Sequence, residues 1–239
     1  LGVVSPIGND VRSMWDSVQA GKCGIDRITA FDTASFKVKL AGEVKDFDPE
    51  QYIDKRELRK MARFTVFARC AAAQAVSDSG LDFTGEDTSR CGVILSSGIG
   101  GIDVIQHEDH RGTEKGYERV SPYFIPMAIS NMAAGQIAIA YGLHGMCSCV
   151  VTACASGTNA IGDSFHYIRD GYADIMLAGG AEASITELGI GGFASMKALH
   201  SGDDPMRASI PFDKERSGFV MGEGSGVLIL EEYEHAVKR

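Results

Sequence analysis

The 239-residue sequence predicts an α/β fold built on a mostly parallel sheet with helices on both faces. Four short, almost uninterrupted apolar runs indicate strands that are buried on both faces. Helical patterns lie between several of these runs, and that alternation is typical of a parallel sheet. The strand runs are residues 91–95, 147–151, 174–178 and 226–230, and the helical patterns are residues 131–141 and 155–170.

The other segments complete one α/β unit, because no repeat or linker divides the chain. Residues 10–20 predict a short helix with Trp15 and Val18 on one face and Gly21 as its stop. Residues 36–44 alternate apolar and charged residues, which favours a short hairpin or edge strand. Residues 59–79 predict a long Ala-rich helix closed by Gly80. Residues 111–126 and 200–217 are expected to be surface loops.

Composition and charge exclude several classes of function. Apolar residues make up 44% of the chain, and 23 Lys+Arg against 32 Asp+Glu leave a net charge of −9. That balance argues against general nucleic-acid binding, which needs a basic surface. The six cysteines show no Cys-x-x-Cys pair, so we expect no metal and interpret all except Cys154 mainly as reduced core thiols. With no secretory signal and no membrane-spanning run, the prediction is a cytoplasmic protein without a cofactor.

Residues 147–157 (CSCVVTACASG) contain the strongest chemical signal. An apolar run ends at Thr152-Ala153, presents Cys154 and continues through small residues into a helical pattern. Such a strand-to-helix elbow lifts a nucleophile out of a sheet. A cysteine at the start of a helix also lies at the positive end of the macrodipole, which favours the thiolate. From spacing alone, a buried structural cysteine in a Gly/Ala-rich turn remains the alternative.

Three other polar motifs are weaker. Residues 97–101 (SGIGG) follow a strand as a dinucleotide loop would, but Asp103 stands where the third glycine belongs. Residues 222–226 (GEGSG) favour a tight turn over a phosphate cradle. Residues 107–110 lack the histidine spacing of a metalloprotease helix, so a solvated polar surface explains them better.

A basic stretch, residues 55–69, interrupts the acidic chain. Arg56, Arg59, Lys60 and Arg63 recur at i, i+3, i+4 and i+7, so one helix would gather them on one face. A solvated surface and a docking patch for an acidic partner both fit this pattern, and in the second case the charges would steer association.

Taken together, the motifs resemble those of the type II β-ketoacyl-acyl carrier protein synthases, the condensing enzymes of fatty acid elongation. The similarity starts with the TACASG motif around Cys154 and runs through the whole chain in order. The further matching segments are residues 97–101, 121–124, 178–182, 191–193, 211–216, 218–224 and 230–236.

The resemblance implies a thiolase-like half with a mixed, mostly parallel five-stranded sheet flanked by helices on both faces. It implies that Cys154 is the nucleophile that takes an acyl group from a carrier thioester, with its own backbone N–H as one oxyanion donor. Ile99 and Phe193 match positions that line the acyl pocket near a dimer interface. Glu118 stands where a relative carries a basic residue. The positions matching the docking site for acyl carrier protein, in its acyl and malonyl forms, are Arg56, Arg59, Lys60, Arg119 and Lys197.

The resemblance also implies that residues 1–239 are only the N-terminal domain of such an enzyme, which would be a homodimer. In this family two histidines and a lysine complete the active site from the second half, and the first strand is represented here only by residues 1–4. We therefore expect the chain to be acylated but unable to condense. A non-catalytic chain-length-factor-like partner of a polyketide synthase and a cysteine thioester hydrolase are the alternatives. The intact Cys154 speaks against the first, and Ala155-Ser156-Gly157 favours the free-standing fatty-acid type.

Overall fold

A five-stranded sheet organises the chain, which a computed structural model describes over residues 1–239. Two further two-residue strands pair antiparallel beside it. The strands are β1 (Gly2–Val4), β2 (Asp26–Arg27), β3 (Leu40–Ala41), β4 (Cys91–Ser96), β5 (Cys147–Ser148), β6 (Ile175–Glu182) and β7 (Gly224–Glu231). The helices are α1 (Val11–Gln19), α2 (Lys55–Leu58), α3 (Arg63–Ser79), α4 (Ile102–Lys115), α5 (Phe124–Ala128), α6 (Met132–Tyr141), α7 (Ser156–Arg169), α8 (Glu187–Ser195), α9 (Pro205–Ala208) and α10 (Tyr233–Lys238).

The strand order of the main sheet is β1-β7-β6-β4-β5. β4 pairs in parallel with both β5 and β6, whereas β7 runs antiparallel to β6 and to β1. Four strands therefore point the same way and only β7 opposes them. This confirms the predicted mixed, mostly parallel sheet.

Helices cover both faces of the sheet unequally. Val93 and Leu95 of β4 face a core cluster of 27 buried residues that includes α3 and α6. The intervening Ile94 faces a cluster of only four buried residues, which includes Ala160 of α7. The alternation follows from the two-residue period of a strand. The α3 face therefore holds most of the apolar burial, and the other face depends on α7.

The long Ala-rich helix is interrupted, contrary to the prediction for residues 59–79. α2 ends at Leu58, and α3 begins only at Arg63 after an extended Ala62 (φ −72°, ψ 159°). Met61 and Ala62 are buried at 7% and 1% exposure. The break lets these two apolar residues enter the core, while Arg59 and Lys60 just before them stay at the surface.

Other predicted segments are confirmed with adjusted ends. The helices predicted at residues 10–20, 131–141 and 155–170 and the strands at 91–95, 174–178 and 226–230 are all present. The run 147–151 is wrong as a doubly buried strand. It forms only the two-residue edge strand β5, which has one neighbour and an exposed Cys147. The face of α1 that carries Trp15 and Val18 is exposed to solvent, since these side chains are 59% and 46% exposed.

The two segments expected to be loops contain short helical turns. The end of α4, a 3-10 turn (Tyr117–Arg119) and part of α5 fall within 111–126, and α9 falls within 200–217. Residues 36–44 contribute only β3, which pairs with β2. No helix is both long and apolar enough to cross a lipid bilayer.

Two glycines let α7 approach β6 closely. A Cβ added at Gly180 would lie 3.0 Å from the Cα of Gly157 and 3.3 Å from the carbonyl oxygen of Ser96. Neighbouring backbone atoms would have to move to accept even one methyl group. The start of α7 is therefore seated on the sheet by backbone contact.

Gly180→Ala is expected to lower the free energy of unfolding by about 1–3 kcal/mol, because it overpacks this contact. Gly162→Ala is the matched control. It lies in α7, the helix that packs on Gly180, but a Cβ there would meet open space, and alanine should raise stability by about 0.5–1 kcal/mol. Urea unfolding of both variants measures the difference. An equal effect of the two substitutions would contradict the close-packing argument.

His235 joins the last helix to the rest of the chain through two carboxylates. Its Nδ1 lies 2.7 Å from Glu231 Oε1 and its Nε2 lies 3.0 Å from Glu86 Oε2. Arg239 also binds Glu231, with Nε 2.7 Å from Oε1. A neutral imidazole has one N–H for two acceptors, so the protonated form fits better. The hydrogen bond to Glu231, followed by the charge of Glu86, raises the pKa of His235.

Because the pKa of folded His235 is raised, its contribution to stability is complete below the unfolded value of about 6.5 and is lost as the pH rises through the folded value. His235→Gln should therefore destabilise the chain more at about pH 5.5 than at about pH 8.5. Urea unfolding at both pH values measures this. The control, His107→Gln, changes an exposed histidine and should show no such difference. A pH-independent effect of His235→Gln would refute the argument.

Candidate active site

The elbow predicted around Cys154 is present, in a tighter form than expected. β5 ends at Ser148, a 3-10 turn (Ala153–Ala155) carries Cys154, and α7 begins at Ser156. Ala153 has φ +52°, in the left-handed region that costs a non-glycine residue about 1–2 kcal/mol. The surrounding structure must therefore hold this turn in place.

Ser156 supplies part of that support. Its hydroxyl donates to the Ala153 carbonyl at 2.6 Å and accepts from the Thr152 N–H at 2.8 Å, and the residue is buried at 3% exposure. One side chain thus bridges both sides of the strained residue. From the sequence alone, Ser156 is predicted only to be a small residue of the turn. A serine two positions after the cysteine, able to bond back to the turn, was the available signal.

Cys154 is chemically accessible. Its thiol is exposed, and its backbone N–H donates no hydrogen bond within the chain. The 14-residue helix α7 starts two residues later, so the partial positive charge of a helix N-terminus lies beside the sulfur. The elbow therefore combines an exposed thiol with a backbone N–H that is free to donate.

The other five thiols fall into two groups. Cys70 and Cys91 are buried as expected, and burial raises their pKa values to about 12 and about 11. Cys149 is partly buried, whereas Cys23 and Cys147 are exposed, contrary to the expectation of core thiols. Cys147 lies on β5, which is an edge strand of the sheet. Any chemical labelling must therefore separate three accessible cysteines.

Cys154, Ile99 and Phe193 line one pocket of about 630 Å³. Phe219 lines it too and packs edge-on against Phe193, with ring centroids 5.5 Å apart. The structure thus brings together Cys154, which the resemblance assigned to acyl transfer, and Ile99 and Phe193, which it assigned to the acyl pocket. None of the six histidines and no lysine lines this pocket, whose only carboxylates are Glu182 and Glu223.

Glu182 is a residue of this site that the sequence analysis missed. Its Oε2 accepts from the N–H groups of Gly98 and Ile99 at 2.8 and 3.2 Å. Its Oε1 accepts from the hydroxyls of Ser97 and Ser184 at 3.1 and 2.9 Å. The sequence signal was its place in the Ala178–Glu182 motif at the end of an apolar run.

These contacts also decide the role of the glycine-rich loop 97–101. In a dinucleotide site, free N–H groups of such a loop bind phosphate. Here two of them bind Glu182, and the Gly100 N–H donates to Ser97 Oγ at 2.8 Å. A carboxylate of the chain itself occupies the anion position, so the loop is not a phosphate cradle.

Glu223, the second carboxylate that lines the pocket, is paired with Arg63. The guanidinium donates to both carboxylate oxygens at 2.6 and 2.9 Å, and the Val44 N–H donates at 2.9 Å. Arg63 is partly exposed, but its charge is paired with Glu223, unlike the charges of Arg56, Arg59 and Lys60. The sequence grouped these four residues on one helix, whereas Arg63 begins α3 and the other three lie on or just after α2.

The five predicted docking residues are all exposed. Arg56, Arg59 and Lys60 lie on or just after α2, Arg119 lies in the 3-10 turn after α4, and Lys197 follows α8. None has an acidic partner within 4.0 Å, whereas the neighbouring Lys55 pairs with Glu50. Lys60 lies over the Tyr123 ring at 5.6 Å from its centroid, which brings it close to the segment that follows Arg119.

No group of three or more His, Cys, Asp or Glu side chains is arranged to hold a metal ion. Glu182 and Glu223 already have hydrogen-bond partners on both oxygens. What the pocket offers is an exposed thiol, a free N–H and apolar walls, a set suited to acyl transfer.

Comparison with known proteins agrees with this arrangement. Residues 1–236 match the family described as "Beta-ketoacyl synthase, N-terminal domain". The chain is 48% identical over 240 residues to a 3-oxoacyl-[acyl-carrier-protein] synthase 2 of Synechocystis and 47% identical over 239 residues to one of Staphylococcus aureus. All of this chain is covered, but it spans only 58% of the length of these two relatives.

Solved structures show the same similarity. The ishigamide ketosynthase/chain length factor superposes with a TM-score of 0.89 at 33% identity, covering 100% of this chain and 58% of that one. A type II polyketide synthase ketosynthase, in complex with its acyl-carrier protein and bound to the hexaketide, gives 0.87 at 32% with the same coverage. A β-ketoacyl synthase from Burkholderia phymatum gives 0.86 at 29%, over 100% and 59%. From its sheet, its cysteine elbow and the match over residues 1–236, the chain belongs to the β-ketoacyl synthase family and corresponds to its N-terminal domain.

Proposed function

We propose that this chain carries the acyl-accepting site of a 3-oxoacyl-[acyl-carrier-protein] synthase that elongates fatty acids. The observation that carries the proposal is the exposed Cys154 at a strained elbow, facing an apolar pocket with a free backbone N–H beside its sulfur. The names of the similar curated proteins support the substrate class.

In the proposed reaction the Cys154 thiolate attacks the carbonyl carbon of an acyl thioester. The tetrahedral intermediate places negative charge on oxygen, where the Cys154 N–H can donate to it. Collapse of the intermediate breaks the bond to the carrier sulfur, which leaves as a thiolate and takes up a proton. The acyl chain then extends along Ile99 and Phe193, whose apolar surface replaces the water around it.

Condensation needs groups that this pocket does not contain. Loss of CO2 from malonyl carrier protein creates a carbanion equivalent, which attacks the acyl carbonyl and releases the Cys154 thiolate. Positioned imidazole and ammonium groups suit this step, because they can stabilise the developing enolate. We propose that residues 1–239 form the N-terminal domain and that two histidines and a lysine of a second half supply these groups, in a homodimeric enzyme.

The basic residues around α2 suit an acidic partner. Arg56, Arg59, Lys60, Arg119 and Lys197 are exposed and form no ion pair with an acidic side chain of the chain, so their charge is available to a second molecule. We propose that they receive acyl carrier protein. The similar polyketide ketosynthase in complex with its acyl-carrier protein supports this class of partner.

Two rival functions share the fold. One structural neighbour is a ketosynthase/chain length factor, so a non-catalytic partner is one rival. The presence and exposure of Cys154 favour the catalytic member of such a pair. A thioester hydrolase is the second rival, and the fate of the acyl group separates it from a condensing enzyme.

Incubation with dodecanoyl-N-acetylcysteamine should add one acyl group to the peptide that contains Cys154. Peptide mass spectrometry measures this, and Cys154→Ala should abolish the modification because it removes the nucleophile. Cys23→Ala and Cys147→Ala are matched controls, since they remove the other exposed thiols and should leave the acylation of Cys154 unchanged.

The same incubation tests the limits of the proposal. The acyl group should stay bound, and addition of malonyl carrier protein should yield no β-ketoacyl product from this polypeptide alone. Release of many equivalents of free acid would indicate a hydrolase. No acylation at all would support the non-catalytic rival, and β-ketoacyl formation would refute the need for a second half.

Charge reversal at the docking residues should slow acyl transfer from the carrier protein selectively. We expect Arg59→Glu combined with Lys60→Glu to lower the rate of acylation by acyl carrier protein about tenfold, because opposite charges steer encounter. The rate with dodecanoyl-N-acetylcysteamine should not change. Lys22→Glu, an exposed lysine next to α1, is the matched control. An equal loss with both acyl donors would contradict the docking role.

A further inference from the structure

Glu182 makes an unusual set of contacts for a carboxylate beside a reactive thiol. Each of its oxygens accepts two hydrogen bonds, from two backbone N–H groups and two serine hydroxyls. No arginine, lysine or histidine binds it. Four neutral donors saturate its acceptor sites, so its role is geometric: it ties separate segments to one point.

The segments that Glu182 joins are the end of β6 and the loop 97–101. Ser184 lies two residues beyond Glu182, whereas Ser97, Gly98 and Ile99 follow the neighbouring strand β4. The parallel register pairs Ser96 with Gly180, so the two strands end side by side. A carboxylate two residues further along β6 therefore reaches the first N–H groups after β4.

The loop held in this way forms part of the pocket wall. Ile99 lines the pocket with Cys154 and Phe193, and its own N–H is one of the bonds to Glu182. Packing is tight here, since a Cβ on Gly98 would lie 3.1 Å from Glu182 Oε2 and 3.5 Å from the carbonyl oxygen of Ala153. The loop thus sits between the Glu182 carboxylate and the elbow.

From this geometry we infer that Glu182 is a positioning residue for acyl-chain selectivity. It fixes the backbone of Ile99 so that this side chain limits the depth of the pocket around an acyl group on Cys154. The inference rests on the proposed function, because it requires Cys154 to accept acyl groups. It adds a residue that has no hydrogen bond to the Cys154 thiol and acts on the acyl chain through Ile99.

Glu182→Gln and Glu182→Ala should differ in how many of the four hydrogen bonds they keep. In Glu182→Gln, the amide oxygen can still accept from Gly98 and Ile99, and the NH2 group can donate to hydroxyls that turn to accept. In Glu182→Ala all four bonds are lost, and the two backbone N–H groups lose their partner. Glutamine should therefore largely rescue the loop, and alanine should release it.

The test compares acylation of Cys154 by butyryl- and dodecanoyl-N-acetylcysteamine, followed by peptide mass spectrometry. Glu182→Ala should raise the dodecanoyl-to-butyryl rate ratio about tenfold, since a released wall no longer limits pocket depth and tenfold corresponds to about 1.4 kcal/mol. Glu182→Gln should change the ratio by about threefold or less. An unchanged or lower ratio in Glu182→Ala overturns the inference.

Glu43→Ala is the matched control for a merely structural effect. Glu43 is buried and, like Glu182, accepts from a loop, through the N–H groups of Thr29 and Ala30 and the Thr29 hydroxyl, but it does not line the pocket. Glu43→Ala should lower the urea concentration at the midpoint of unfolding without changing the dodecanoyl-to-butyryl rate ratio. A ratio that changes equally in both variants would mean that general destabilisation is the cause.

A double-mutant cycle with Ile99→Ala identifies the route. If Glu182 acts through Ile99, the double variant should have the same dodecanoyl-to-butyryl rate ratio as Ile99→Ala alone. Additive changes would overturn the assignment to Ile99. Where Glu182→Ala does not fold, the cycle is run with Glu182→Asp, whose shorter side chain draws both carboxylate oxygens away from the loop, and an unchanged ratio in Glu182→Asp overturns the inference. Absence of acylation in the unsubstituted chain would instead refute the proposed function.

Discussion

The contact between the start of α7 and β6 is the constraint on which the site depends. Gly157 and Gly180 meet backbone to backbone, with no room for a side chain on the β6 residue. This seating brings the first turn of α7 down onto the sheet, so the chain arriving from the edge strand must turn sharply to enter the helix. The strained Ala153 and the exposed Cys154 follow from that turn.

The strain at the elbow is offset locally by hydrogen bonds. Ser156 bonds to both sides of Ala153, and the Val150 N–H donates to Ser96 Oγ at 3.0 Å, which ties the segment after β5 to β4. This support matters for the proposed role of Cys154, because a flexible turn would let the residue move relative to the pocket walls. The same region holds the Glu182 contacts, so elbow and pocket wall share one framework.

The two faces of the sheet differ in how much apolar surface they bury. The α3 face holds the large core cluster, whereas the α7 face has a cluster of four buried residues and adjoins the Cys154 elbow. Apolar side chains such as Phe165 and Tyr172 remain 55% and 70% exposed near α7. The chain spans 58% of the length of its curated relatives, which accords with a proposed second half.

Patterns within the sequence were enough to predict the α/β class, the three long strands and the position of the elbow. These features depend on local apolar periodicity and on small residues around one cysteine, which are visible in a single chain. The resemblance added the five-stranded sheet and the roles proposed for Ile99 and Phe193. The patterns concern residues that are close together in sequence, and the resemblance concerns residues that are matched one by one to a family.

Contacts between distant segments were decided by tertiary structure alone. The break before α3 arises because burial of Met61 and Ala62 outweighs the continuity of a basic face, and Arg63 then pairs with Glu223, 160 residues away. Glu182 meets the loop 97–101 because two parallel strands end side by side. Local propensity contains no information about which strands are neighbours, so neither partnership could be read from the sequence.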